Sequence, residues 1–143
     1  MSTHFSALQN TTLKHTLAIL LYTPAGVVMW DATGYISPSA IEVIRGRFTP
    51  TTPFLGIAIS HPHFFNAAAT LFRALTEGGN EGCVALSARI FVSEVDREWW
   101  TRTDASGLEH VDFWAGDVKP ISEGVTMVRC GGEHGLLLFR VLG

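Results

Sequence analysis

Charged residues and cysteines are both scarce in this sequence. Asp, Glu, Lys and Arg together make up 16% of the 143 residues, whereas about 25% is usual for a globular domain. The ten Lys and Arg residues form no basic cluster and the net charge is −3, which argues against a nucleic-acid partner. Two cysteines, Cys83 and Cys130, cannot form a disulfide framework, so we expect buried thiols in the reducing cytoplasm.

Long apolar segments and targeting signals are also missing. The most apolar early stretch, residues 16–30, is shorter than the about 20 residues of a membrane-spanning helix and is interrupted by Pro24-Ala25-Gly26. Residues 1–13 contain no Lys or Arg, whereas a secretory signal begins with basic residues. We therefore expect no membrane segment and one domain over residues 1–143, with residues 1–10 disordered.

Several catalytic signatures are missing as well. The sequence contains no G-x-S-x-G nucleophile elbow, no P-loop glycine–lysine pattern and no dinucleotide-binding fingerprint. Serine hydrolases of the elbow type, P-loop nucleotide hydrolases and Rossmann-type dehydrogenases therefore have no support. The remaining candidates for chemistry are histidines and acidic residues at the ends of apolar runs.

The sequence does contain short apolar runs that alternate with helical patterns. Leu17–Tyr22 and residues 27–30 flank a Pro-Ala-Gly turn and predict a β-hairpin. Ser37-Pro38 predicts a helix start, because Ser caps backbone N–H groups and Pro suits the first turn. Apolar residues at helical spacing predict a second helix over residues 64–75. Further strands are predicted at residues 54–60, 83–92, 111–114, 118–121, 125–130 and 136–142. This order predicts an α/β fold with a mixed β-sheet and flanking helices.

Two histidines, His61 and His63, follow the run at residues 54–60, which is β-branched at Ile57 and Ile59. Alternate residues of an extended segment point the same way, so both imidazoles could face one point. Zinc binds imidazole nitrogen at about 2.0–2.1 Å and needs further ligands beside such a pair. The alternative is a pair of histidines that form ordinary hydrogen bonds at a sheet edge.

Acidic residues stand at two other strand ends. Asp31 ends the hairpin, where it could assist a metal site or orient a histidine, or form an Asx turn with Thr33 and Gly34. Glu133 and His134 lie between glycines that allow a tight loop. They could complete a metal site, or they could be solvent-facing residues of a Gly-rich turn.

Taken in order, these three strand ends resemble the motifs of the metallo-β-lactamase fold superfamily. In that family an Asp at a strand end comes first, H-x-H-x-D-H ends a later strand, and a Gly-His turn follows further on. The His-Pro-His followed by two aromatic residues resembles one subgroup. The stretches that carry this resemblance are residues 28–34, 59–63, 93–99, 113–117 and 124–135.

The resemblance implies a fold, a cofactor and a set of site residues. The fold would be the N-terminal half of an αββα sandwich, truncated at the C-terminus. His61 and His63 would bind one zinc ion at most, with His134 or Glu133 as a further ligand, and Asp31 would orient or assist. The implied activity is zinc-dependent hydrolysis of a small-molecule substrate.

The sequence also departs from the family pattern. Phe65 occupies the acid position of the second motif, Asn66 occupies its last histidine position, and Glu133 stands where the subgroup has histidine. The alternative function is therefore a non-catalytic remnant that acts as a binding or interaction module. Half a sandwich would leave one apolar sheet face uncovered, which predicts self-association through that face.

Overall fold

The structure, a computed structural model, describes residues 4–9, 17–32, 37–61, 65–80, 82–103, 107–130 and 137–141. The strands are β1 (His4–Gln9), β2 (Leu17–Thr23), β3 (Gly26–Trp30), β4 (Phe54–Ala58), β5 (Val84–Ser93), β6 (Val111–Trp114), β7 (Val118–Ser122), β8 (Val125–Arg129) and β9 (Leu137–Val141). The α-helices are α1 (Pro38–Arg45), α2 (Phe65–Thr76) and α3 (Arg97–Thr103).

The strands of the described residues form a mixed sheet of six and a separate sheet of three. The larger sheet has the order β1-β2-β3-β4-β5-β6, and the smaller has the order β7-β8-β9. β1, β2 and β3 pair antiparallel, whereas the pairings from β3 to β6 are parallel. This architecture confirms the predicted α/β class with a mixed sheet and flanking helices.

The N-terminal segment differs from its prediction of disorder over residues 1–10. His4–Gln9 forms β1, whose backbone pairs in register with β2 from His4 opposite Tyr22 to Gln9 opposite Leu17. Pairing with a neighbouring strand supplies the hydrogen bonds that the polar composition of this segment did not suggest.

The hairpin turn between β2 and β3 follows from Thr23 and Gly26. The Thr23 hydroxyl accepts hydrogen bonds from the N–H groups of Ala25 and Gly26, both at 3.1 Å, and donates to the Gly26 carbonyl at 2.9 Å. Gly26 has φ +148°, and a Cβ there would lie 2.2 Å from the Pro53 carbonyl oxygen. Only glycine lets β3 and the start of β4 approach so closely.

The first helix begins as predicted. Ser37 is the N-cap of α1, and its hydroxyl accepts a hydrogen bond from the N–H of Ala40 at 3.2 Å, with Pro38 as the first helical residue. Both residues match the preferences of helix starts. Among the described residues, none of the helices has both the length and the apolar character that crossing a bilayer requires.

The helices cover one face of the large sheet. Strand residues such as Leu20, Ile57 and Ile90 are fully buried there with Leu75 of α2 and Trp100 of α3. This cluster is the main hydrophobic core, and its burial is the principal source of stability for the fold.

The small sheet covers the opposite face. Val125 and Met127 of β8 are fully buried against a second cluster on the large sheet. The strand residues of that cluster are Leu21, Val28, Trp30, Ala58, Phe91 and Trp114. The prediction of an uncovered apolar face therefore does not hold for these residues, because β7–β9 packs on them. Self-association stays a prediction, and the described residues show no uncovered sheet face that would mediate it.

The two thiols are free but not buried as predicted. Cys83 is half-buried and Cys130, which directly follows β8, is exposed. Val125, Met127 and Arg129 face the large sheet at a spacing of two residues, and Cys130 has the opposite parity, which directs it away from that sheet.

Candidate functional site

The candidate site lies where the parallel strands of the large sheet end. In the ladders, Trp30 pairs with Ala58, Ala58 with Phe91, and Ser93 with Trp114. The ladder continues beyond β4, because the N–H of Ile59 donates to the Phe91 carbonyl at 3.1 Å. The carboxyl ends of β3, β4, β5 and β6 therefore meet at one edge of the sheet, where sites in α/β proteins form.

Asp31 fastens the end of β3 to the end of β4. Its N–H donates to the Ala58 carbonyl at 2.8 Å. Its carboxylate accepts from Ser60 twice, at 2.7 Å from the backbone N–H to Oδ1 and at 2.7 Å from the hydroxyl to Oδ2. Both carboxylate oxygens therefore hold Ser60.

The backbone of Asp31 is the other unusual feature at this position. Among described non-glycine residues Asp31 alone has a positive φ, at 60°. Asp tolerates the left-handed region better than most residues, and the bonds to Ser60 hold it there. The turn aims the carboxylate back at β4. The alternative of an Asx turn with Thr33 and Gly34 lies outside the described residues.

His61 joins this pair through the Ser60 hydroxyl. Ser60 Oγ lies 2.6 Å from His61 Nδ1. A hydroxyl has one proton, and with Asp31 ionised that proton points to Oδ2. His61 Nδ1 must then carry the proton and donate to Ser60 Oγ. In neutral His61 the lone pair is consequently on Nε2, which is the form in which imidazole binds metals.

The electrostatics of Asp31 reflect its burial. Asp31 is 8% exposed, and this burial raises the pKa of its carboxyl above the ordinary value because the charged form is desolvated. The side-chain and backbone hydrogen bonds from Ser60, and to a smaller degree the charge of His61, lower the pKa in opposition. Ser60 therefore supports the ionised carboxylate in a poorly solvated position.

The structure describes only one of the four predicted metal ligands. His61 is half-buried at the sheet edge, and its tautomer fits a metal ligand. His63, Glu133 and His134 lie outside the described residues. Within the part of the chain that the structure describes, no group of three His, Cys, Asp or Glu residues could hold a metal ion. The structure thus brings Asp31 and His61 together through Ser60, and the remaining ligands stay predictions.

Three further residues at the same edge were not anticipated from the sequence. Arg129, at the end of β8, reaches across from the small sheet and donates from Nη2 to Ser93 Oγ at 3.0 Å. Its guanidinium carbon lies 5.7 Å from the centre of the Trp114 ring, within cation–π distance. Arg129 continues the inward-facing positions of Val125 and Met127 at a spacing of two residues, and that spacing is the signal that could have found it.

Comparison with known proteins gives a small set of similarities. No protein-family model matches this chain. The chain is 29% identical over 106 residues to the uncharacterized protein YmaE of Bacillus subtilis strain 168. The match covers 74% of this chain and 32% of YmaE, so the chain spans about a third of the length of this curated relative.

Two solved structures are similar to this chain at lower sequence identity. One is a probable metal-dependent hydrolase from Staphylococcus aureus, with 15% identity and a TM-score of 0.47, over 87% of this chain and 52% of that chain. The other is a diphosphatase from the PhnP family, with 12% identity and a TM-score of 0.44, over 78% of this chain and 42% of that chain. The chain thus spans about half of each of these neighbours.

Proposed function

We propose that this chain carries the metal-binding edge of a metal-dependent hydrolase with a metallo-β-lactamase-like fold. One zinc ion would be held by His61 and His63, with His134 or Glu133 as the third ligand. The observation that carries the proposal is the chain of hydrogen bonds from Asp31 through Ser60 to His61. Such a chain from a carboxylate fixes the tautomer and orientation of a metal-binding histidine.

The chemistry divides between the metal and the residues of this chain. A bound zinc ion supplies a Lewis acid and lowers the pKa of a bound water to about 7. Ser60 keeps the proton of His61 on Nδ1, so the lone pair on Nε2 is the one that a metal ion would use. Asp31 acts as a positioning residue, because both of its oxygens are engaged with Ser60.

The surroundings of the site also form part of the proposal. The chain would correspond to the first half of the family's sandwich. Hydrolytic activity is proposed for the complete sandwich, of which this chain would form a part. A cytoplasmic location is proposed with it, supported by the free thiols of Cys83 and Cys130.

A second candidate function is a non-catalytic binding module of the same fold. Phe65 and Asn66 favour it, because neither side chain offers the acid or the imidazole that the family has at these positions. Such a module would keep the Asp31–Ser60–His61 chain as a structural link between strand ends. It would turn over no substrate, whether or not it binds a metal ion.

Metal analysis of the full chain tests the proposal. The purified protein is loaded with zinc, freed of excess metal and measured by mass spectrometry. We expect about one zinc ion per chain, loss of the metal in His61→Ala, and full retention in the control His110→Gln, whose ring packs on Phe72 away from the site. Zinc at background level in the wild type, or equal zinc in His61→Ala, would contradict a metal site here.

Hydrolysis assays then separate the two candidates. The zinc-loaded chain is tested on a panel of simple carboxylic and phosphoric esters. Turnover that disappears in His61→Ala supports the hydrolase. Stoichiometric zinc without turnover of any ester favours the binding module.

A further inference from the structure

We propose that Arg129, Ser93 and Trp114 form an oxyanion-binding subsite next to His61. The proposal deepens the proposed function and rests on it, because it names the substrate class of the same sheet edge. The substrate would carry a phosphate or carboxylate group, which Arg129 would bind beside the bond to be hydrolysed.

The position of the subsite follows from the strand register. Ala58 pairs with Phe91, and the N–H of Ile59 donates to the Phe91 carbonyl. Extending this register by two residues brings Ser60 opposite Ser93. Ser93 in turn pairs with Trp114. Neighbouring strands are about 4.8 Å apart, which puts Ser93 one strand away from the residue that holds His61.

Unpaired donors at this point indicate that an acceptor is missing. Arg129 Nε and Trp114 Nε1 are both shielded from solvent, and neither has a hydrogen-bond partner among the residues that the structure describes. Trp114 is 3% exposed, so bulk water does not reach most of this side chain to accept a hydrogen bond from it. Buried donors in native proteins are nearly always paired, and two unpaired ones on contacting side chains point to a ligand.

The guanidinium has a suitable edge for an oxyanion. Nε–H and one N–H of Nη2 lie side by side and can bind two oxygens of a carboxylate or phosphate at once. Nη2 now donates to Ser93 Oγ at 3.0 Å. Because Ser93 accepts that bond, its own hydroxyl proton remains available to donate to the same oxyanion. Ser93 is fully buried, so its hydroxyl is held in place.

The charge of Arg129 is only weakly compensated. Its Nη1 lies 3.9 Å from Asp117 Oδ1, and the Asp117 side chain is 87% exposed while that of Arg129 is 22% exposed. A pair at this distance with a solvated carboxylate contributes little. The described acidic residues therefore screen the positive charge of the guanidinium only weakly, and part of the Arg129 side chain reaches solvent.

A purely structural role for Arg129 makes a different prediction. In that case Arg129 would only join the small sheet to the large one through Ser93 and Trp114. Replacing it would lower stability but would change no anion affinity. Binding and stability therefore have to be measured separately.

Calorimetric titration of the full chain with inorganic phosphate, and separately with acetate, tests the subsite. Both titrations are done at constant ionic strength with chloride as the balancing anion, on metal-free and on zinc-loaded protein. We expect at least one of the two anions to bind the metal-free chain. Arg129→Gln should weaken that binding tenfold or more, and Arg129→Lys should restore part of it, because lysine keeps the charge without the two-pronged edge.

The control is Arg102→Gln, an exposed arginine of α3 that pairs with Glu98. Its anion affinity should equal that of the wild type. Trp114→Phe supplies an independent readout, because it removes the Nε1 donor and keeps the aromatic packing. The change in tryptophan emission on adding the anion should disappear in this variant.

Three results would overturn the subsite. The first is that neither phosphate nor acetate binds the chain. The second is that Arg129→Gln leaves the anion affinity unchanged, and the third is that Arg102→Gln lowers the anion affinity as much as Arg129→Gln does. If Arg129→Gln does not fold, the emission change in Trp114→Phe decides in its place, and its persistence overturns the proposal. Anion binding to metal-free protein is independent of zinc stoichiometry, so failure of the subsite and failure of the metal site are distinguished.

Discussion

Replacing Ser60 with alanine tests the chain of hydrogen bonds on which the site depends. The hydroxyl donates at 2.7 Å to a buried carboxylate and lies 2.6 Å from the His61 ring. A hydrogen bond to a charged group contributes about 1.5–3 kcal/mol and a neutral one about 0.5–1.5 kcal/mol. We therefore expect Ser60→Ala to lower the free energy of unfolding by about 3 kcal/mol.

The stability loss is measured by urea denaturation of the metal-free chain, with Ser87→Ala as the matched control. Ser87 is an exposed residue of β5, and its replacement should change stability by less than about 0.5 kcal/mol. At roughly 3 °C per kcal/mol for a domain near this size, Ser60→Ala should lower Tm by about 9 °C. The bond from the backbone N–H of Ser60 to Asp31 remains in the variant, so the fold itself should persist.

A double-mutant cycle with Asp31→Asn isolates the pair. If the hydroxyl acts through the carboxylate, the two changes are not additive, and the coupling energy should exceed about 1 kcal/mol. Zinc affinity should fall about 10- to 100-fold in Ser60→Ala, because His61 loses the partner that fixes its tautomer. Additive stability losses, or a loss in Ser60→Ala no larger than in Ser87→Ala, would refute the reasoning.

Three other changes test the fold and the electrostatics. Gly26→Ala should cost about 3 kcal/mol or more through its clash with a carbonyl, whereas Gly78→Ala, with no atom within 4 Å, should cost only the strain of its positive φ, as urea denaturation will show. Leu75→Ala, in the core, should cost about 2–5 kcal/mol, whereas the fully exposed Leu86 should tolerate serine within about 0.5 kcal/mol. Because burial raises the folded-state pKa of Asp31, the unfolded chain binds fewer protons above about pH 4. The stability of the metal-free wild type relative to Asp31→Asn should therefore fall as pH rises from about 4 through the folded-state pKa, and a pH-independent difference would contradict this.

Local signals in the sequence were sufficient for much of the fold. The Pro-Ala-Gly turn and the Ser37-Pro38 helix start depend on residues within a few positions of each other, so their chemistry is visible in the sequence. β1 was missed because its polar residues acquire order only by pairing with β2. The packing of β7–β9 on the large sheet was missed for a similar reason. No local pattern in the small-sheet strands or in the large-sheet strands indicates that the two sheets pack together.

The site was predictable only in part. Asp31 and His61 stood out because each is a polar residue at the end of an apolar run. Ser60 did not, because serine inside such a run has no distinctive pattern, and its contact with Asp31 spans 29 residues of sequence. The two-residue spacing of β8 marks Arg129 as facing inward, but its contact with Ser93 was not predictable, because Ser93 lies 36 residues away and on the other sheet. Long-range contacts of this kind require the folded structure.

The order of the large sheet has a consequence for how the site assembles. Each strand from β2 to β6 pairs with the strand that precedes it in the chain, so the sheet can grow in the order of synthesis without waiting for distant segments. Ser60 meets Asp31 as soon as β4 joins β3. Arg129 belongs to a separate sheet of consecutive hairpins and reaches Ser93 only when the two sheets dock. Assembly of the edge is therefore expected to have two stages, in which the histidine is oriented before the guanidinium arrives.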